Sequence, residues 1–116
     1  MKESILRAKA IDFAADIVNM YENFLLLKKD NTIAKQLLRS ATSIGANLNE
    51  ANFGNSKADF ISKLHIALKE CSESLYWLEL IKRVNYKIDN INTLIDNCNQ
   101  IKALLVKSIN TAKSSN

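Results

Sequence analysis

Residues 39–51 read Arg39-Ser40-Ala41-Thr42-Ser43-Ile44-Gly45-Ala46-Asn47-Leu48-Asn49-Glu50-Ala51, and the reading of this stretch decides the fold. Ala41, Ile44, Leu48 and Ala51 follow one another in steps of three and four, and the same steps run back through Leu37 to Ile33. That spacing lays them along one side of an α-helix. The remaining positions are small or polar, which a helix does not need for its own sake: a glycine inside a helix costs about 1 kcal/mol relative to alanine. Gly45, Asn47, Asn49 and Glu50 therefore point to a demand from outside the helix, from a neighbouring helix or a partner. Ala41, Gly45 and Ala46 are expected to let another backbone approach closely.

Outward from this stretch the helical period continues in both directions. It predicts helices over residues 4–28, 32–52, 56–84 and 90–113. The third carries Phe60, Leu64, Ala67, Leu68, Cys71, Leu75 and Leu78 on its core side, and the fourth Ile91, Ile95, Cys98, Ile101, Leu105, Ile109 and Ala112. The joints are short and polar: Lys28-Lys29-Asp30-Asn31, Asn52-Phe53-Gly54-Asn55 and Asn85-Tyr86-Lys87-Ile88. Gly54 is expected in the left-handed conformation that ends helices. Ser56 with Asp59 three residues on reads as a capping box, and Asp89 or Asn90 as the cap of the fourth helix. A chain of 116 residues with no proline and two glycines lacks the turn material of a β fold and has the length of one domain. The fold class is all-α: an antiparallel up-down-up-down four-helix bundle spanning residues 1–116 as a single domain.

Two helices carry more apolar surface than one core can use. On the first, Ile11, Ala14, Val18, Tyr21 and Leu25 form one series, and Phe13, Ile17, Met20, Phe24 and Leu27 another, about 110° away at 100° per residue. On the third, Ile66, Tyr76, Trp77, Leu80 and Val84 project away from the core stripe. Such patches are a liability on a small monomer, so they are read as an oligomer or partner surface.

Catalytic chemistry is not legible. His65 is the one histidine, with no HExxH or ExxH pairing, so neither a metal nor a cofactor is expected. Glu70 and Glu73 lie three apart and read as a solvated or salt-bridged face, without a nucleophile beside them. No phosphate-cradling glycine loop, CxxC or nucleophile elbow occurs, and the protein is expected not to be an enzyme. No apolar run reaches the roughly 18 residues that cross a bilayer, and the N-terminus does not read as a signal peptide, so a cytoplasmic location and no membrane partner are expected. Cys71 and Cys98 have no second Cys or His at ligand spacing and are expected as buried free thiols.

Asn47 and Glu50 lie three apart beside the apolar stripe. Either both face solvent, or they belong to a buried or interfacial hydrogen-bond set with Ser43, Ser56 or Lys57. The net charge of +4 is spread thinly along the chain. Arg7, Lys9, Lys35, Arg39, Lys57 and Lys63 are candidate nucleic-acid contacts, aligned only after folding or assembly, when a ring multiplies a weak basic strip.

Read together, Arg39-Ser40-Ala41-x-Ser43-Ile44-x-x-Asn47-Leu48-x-Glu50-Ala51, Ser56-Lys57-x-Asp59-Phe60, Lys63-Leu64-x-Ile66-Ala67-Leu68-Lys69-Glu70 and Glu73-x-x-Tyr76-Trp77-Leu78 resemble the bacterial four-helix-bundle proteins encoded by intervening sequences within 23S ribosomal RNA genes. The accessory variability determinant of diversity-generating retroelements is similar. The resemblance implies a homopentameric ring without enzymatic activity. It marks Arg39, Ser43, Asn47, Glu50, Ser56, Lys57, Asp59 and Phe60 as a structural or interface signature. Through the retroelement relative it implies a basic surface engaging RNA or DNA and a reverse transcriptase; the alternative reading is a protein-docking adaptor that binds a polymerase-like partner, such as a reverse transcriptase, through the apolar patch around Trp77. Ala51 stands where many members carry glycine, which leaves the turn to Gly54.

Overall fold

The structure, a computed structural model, describes residues 2–27, 30–84 and 86–115. Four helices make it up: α1 Lys2–Leu26, α2 Thr32–Ala51, α3 Lys57–Arg83 and α4 Ile91–Ser114. No strand occurs among the described residues. Each helix packs on two others, α1 on α2, α2 on α3, α3 on α4 and α4 back on α1. Neighbours run antiparallel. Arg7 near the start of α1 meets Asn49 near the end of α2, and Glu50 near the end of α2 meets Lys63 near the start of α3. The result is a rod of 51 × 21 × 20 Å.

The core sits where the predicted stripes converge. Leu37, Ala41, Ile44 and Leu48 of α2, Leu64, Ala67, Cys71 and Leu78 of α3, and Cys98, Ile101, Leu105 and Ile109 of α4 are buried. On α1 only the series through Phe13, Ile17, Met20 and Phe24 goes inward, extended by Leu6 and Ala10. Two serines join this apolar set: Ser40 and Ser74 are fully buried.

The ends follow local chemistry. Ser56 caps α3, its hydroxyl accepting from the Asp59 backbone N–H at 3.1 Å. At the start of α2 the Asn31 side chain makes no cap. Instead Asp30 Oδ1 accepts from the Thr32 N–H at 2.9 Å and from the Thr32 hydroxyl at 2.7 Å, which holds the Asp30 carboxyl below the usual range. The predicted lysines of this joint, Lys28 and Lys29, and Asn85 of the third joint lie outside the described residues.

The two glycines depart from expectation. Gly54 is not in the left-handed region. Space there is tight: a Cβ would lie 3.3 Å from the Ala51 carbonyl oxygen and from Asp59 Cβ. At Gly45 a Cβ would lie 3.9 Å from Ala10 Cβ, an ordinary van der Waals contact. Packing of α1 on α2 thus has room for alanine at position 45, and Ala46 is exposed.

Candidate functional site

The signature residues of α2 line its edge against α3. Arg39 reaches across with its guanidinium, 3.0 Å from Glu73 Oε2 and 3.7 Å from Glu70 Oε2. One turn on, the Ser43 hydroxyl donates to the Arg39 carbonyl at 2.7 Å, and half-buried Asn47 donates from Nδ2 to the Ser43 carbonyl at 2.8 Å. Glu50 is exposed and pairs with Lys63 at 2.9 Å. The alternatives left open for Asn47 and Glu50 therefore divide: Asn47 bonds back to its own helix, and Glu50 makes an inter-helix ion pair with Lys63, while Ser56 and Lys57 take no part. Lys57 donates instead to the Ser115 carbonyl. Ser56 and Asp59 are spent on the cap, and Phe60 packs half-buried against the core.

Glu70 sits in an unfavourable place for a charge. Its side chain is 14% exposed. Burial pushes its carboxyl up, and Glu73 pushes the same way through a hydrogen bond and through its charge, against the pull of Arg39 and Lys69.

Beside this charged seam runs an apolar strip. Ile66, Trp77 and Leu80 of α3, with Val84 just past its end, fall in one series of three- and four-residue steps with Glu70 and Glu73, next to the core stripe on the side facing α2. Ile66, Tyr76 and Val84 are exposed, Tyr76 by 61%; Trp77 and Leu80 are half-buried. The Tyr76 and Trp77 rings meet edge to face at 5.0 Å. The Trp77 Nε1–H is buried and has no hydrogen-bond partner among the described residues, a state that costs about 1–3 kcal/mol.

A second apolar strip lies on another face. The α1 series expected to be buried on two sides is exposed at Ile11 (67%), Val18 and Leu25. Beside it α2 presents Thr42, Gly45 and Ala46, and the two helices bound a groove of about 580 Å³ floored by alanines and glycine. The faces bearing the two strips share α2 and meet at its corner of the bundle.

The candidate nucleic-acid contacts are spread over three helices, with Arg7 and Lys63 beside adjacent residues at the end of α2. Arg39 and Lys63 are engaged by carboxylates. Arg7 donates to Asn49 on the α2 side of α1, whereas Lys9 donates to Gln100 of α4 on the opposite side. Lys35 is exposed on α2. His65 is exposed. No group of three or more His, Cys, Asp or Glu among the described residues is placed to hold a metal ion, and no helix there is long and apolar enough to cross a membrane.

Sequence reasoning missed two contacts: the Ser40–Ser74 hydroxyl pair, 2.8 Å apart, and the meeting of Cys71 with Cys98, Sγ to Sγ 3.7 Å. Both follow from the antiparallel register and not from spacing within a helix.

Comparison with known proteins bears on this arrangement. The family model of the 23S rRNA-intervening sequence protein matches residues 2–107. The chain belongs to that family. Its helices superpose on those of a solved member of the S23 ribosomal protein family from Bacteroides thetaiotaomicron, with a TM-score of 0.90 and 42% identity, over 95% of this chain and 99% of that one. That protein is itself described as of unknown function. No curated protein matches. Family membership thus agrees with the four-helix bundle.

Proposed function

We propose that this 23S rRNA-intervening sequence protein is a non-enzymatic interaction protein that works as a closed homo-oligomeric ring. The observation that carries the reading is the pair of unlike apolar strips: Ile11, Val18 and Leu25 beside the Gly45 groove on one face, and Ile66, Tyr76, Trp77, Leu80 and Val84 on the next. A two-fold dimer needs one self-complementary patch, whereas a ring needs two different patches that fit each other. Two faces meeting at a corner make the subunit a wedge, and wedges close into a small ring. Five is the number that the family resemblance implies.

The chemistry of the strips supports the pairing. One is a groove with a floor of small residues, which accepts bulky side chains; the other is a ridge bearing Tyr76 and Trp77, the residue types that anchor interfaces. The buried, unpartnered Trp77 Nε1–H marks the ridge as unfinished in a single chain. Binding of RNA is the second half of the reading. With Arg39 and Lys63 neutralised, it rests on Arg7, Lys9, Lys35 and Lys57 and on a charge of +4 per copy, which assembly multiplies. The adaptor alternative, docking of a reverse transcriptase, uses the same α3 ridge.

Light scattering after size exclusion tests the ring. A single species of several chains is expected, and a clean monomer at micromolar concentration overturns it. For RNA, affinity that falls steeply with salt is expected; binding indifferent to salt, or absent at low salt, removes the electrostatic mechanism.

A further inference from the structure

Neither cysteine is used by anything proposed above. Cys71 on α3 and Cys98 on α4 are fully buried free thiols, with Sγ atoms 3.7 Å apart. Each Sγ also lies 3.4 Å from the other residue's backbone carbonyl oxygen. That reciprocity means each side chain points at the opposite helix's backbone, and the sulfurs touch with nothing between them. The sulfurs must close by about 1.7 Å to reach the disulfide length of about 2.05 Å, along the line that already joins them.

We propose that Cys71 and Cys98 are a redox-modification site, a core dithiol that a small hydroperoxide converts into an intramolecular disulfide stapling α3 to α4. The Cys71 thiolate attacks a peroxide oxygen of hydrogen peroxide, giving a sulfenic acid at Cys71 and displacing hydroxide, which takes up the proton lost by Cys71 and leaves as water. The Cys98 sulfur then attacks the Cys71 sulfur. The S–S bond forms, the S–O bond breaks, and the Cys98 proton leaves with the hydroxide as water. Two thiols are oxidised by two electrons and one peroxide is reduced.

The surroundings assign the order of attack. The hydrogen bond from Cys98 pulls the Cys71 thiol down, with Lys102 acting in the same direction against burial; the same bond, then burial, pushes Cys98 up. Cys71 is therefore the sulfur that ionises first and Cys98 the one that resolves. Burial limits the oxidant to a molecule near the size of water that enters as the core opens locally, and it shields the thiols from bulky disulfides. The staple joins residues 27 apart in sequence and constrains the unfolded chain across the α3–α4 joint.

The native protein is treated with hydrogen peroxide at neutral pH and read by intact mass and by peptide mapping without reduction. The mass is expected to fall by two hydrogen atoms, with a Cys71–Cys98 cross-linked peptide. The Tm should rise by about 10 °C and return on addition of dithiothreitol. Oxygen added at either cysteine without a cross-link, a disulfide between chains, or cross-linking only in urea each overturns the proposal. The readout is on the unmodified sequence, so no variant has to fold.

Discussion

The hydroxyls of Ser40 and Ser74 meet 2.8 Å apart inside the interface between α2 and α3. Ser40 Oγ also lies 3.2 Å from the Leu37 carbonyl, and Ser74 Oγ 2.9 Å from the Glu70 carbonyl. Two protons serve three contacts, and the shorter backbone contact sets the direction: Ser74 donates to its own helix and Ser40 donates to Ser74. A buried hydrogen bond of this kind contributes about 1 kcal/mol. Ser40→Ala and Ser74→Ala should each cost about that much, and the double substitution less than their sum, because neither leaves a bond half-made. Urea unfolding of the four proteins measures the coupling; strict additivity would show that the hydroxyl contact contributes nothing.

The raised Glu70 carboxyl gives stability a pH dependence of known sign. A carboxyl whose folded value lies above its unfolded one binds more protons when folded, so its effect on stability is lost as pH rises through the window just above the usual carboxylate range. Glu70→Gln mimics the protonated form. It should match or exceed the stability of the parent at neutral pH, and the difference should vanish as the pH falls below that window. Denaturant melts at neutral and acid pH check this; a Glu70→Gln protein weaker at neutral pH would mean that the 3.7 Å contact to Arg39 outweighs burial.

The two glycines should respond in opposite ways to alanine. At Gly54 the added methyl group meets backbone at 3.3 Å, and overpacking should cost about 1–3 kcal/mol. At Gly45 it meets only Ala10 Cβ at 3.9 Å, and the dissociated chain should gain about 0.5–1 kcal/mol from the better helix former. The same methyl narrows the groove between α1 and α2, so assembly should weaken while the chain itself grows more stable. Thermal melts at low concentration and sedimentation at high concentration separate the two effects.

Mixing tests whether the strips pair with each other. Ile11→Asp spoils the groove face and Ile66→Asp the ridge face, both at exposed positions, so the fold should survive each. Either variant alone should be monomeric. Mixed together, one good groove and one good ridge remain, and the expected product is a heterodimer that grows no further. A mixture that stays monomeric, or a single variant that still forms the full assembly, would rule out the head-to-tail pairing.

Helix number, order and core faces were legible because apolar residues repeat every three or four positions in all four segments, and no proline interrupts them. The wide apolar arc of α1 was legible for the same reason, and its Ile11 series stands exposed in the single chain. Partners across helices were not. Arg39 could be matched with Glu73, or Glu50 with Lys63, only once antiparallel register was fixed, because one slipped turn exchanges every partner. Cys71 lies 12 residues before the end of α3 and Cys98 7 residues after the start of α4, so folding the chain evenly about that joint would not have paired them. Gly54 misled because a glycine after a helix usually signals a left-handed residue, whereas here the constraint is the closeness of Ala51 and Asp59.

The order of packing around the bundle has a kinetic consequence. Three of the four helix interfaces join neighbours in sequence, and the α1–α4 interface, which closes the ring of helices, is the least extensive. Chains dominated by local contacts cross their folding barrier quickly. Here α2 and α3, which share the most extensive interface, can form a hairpin before the ends of the chain find each other. The seam between α1 and α4 is then the last to close and the first to open, and amide hydrogens along it should exchange before those buried between α2 and α3.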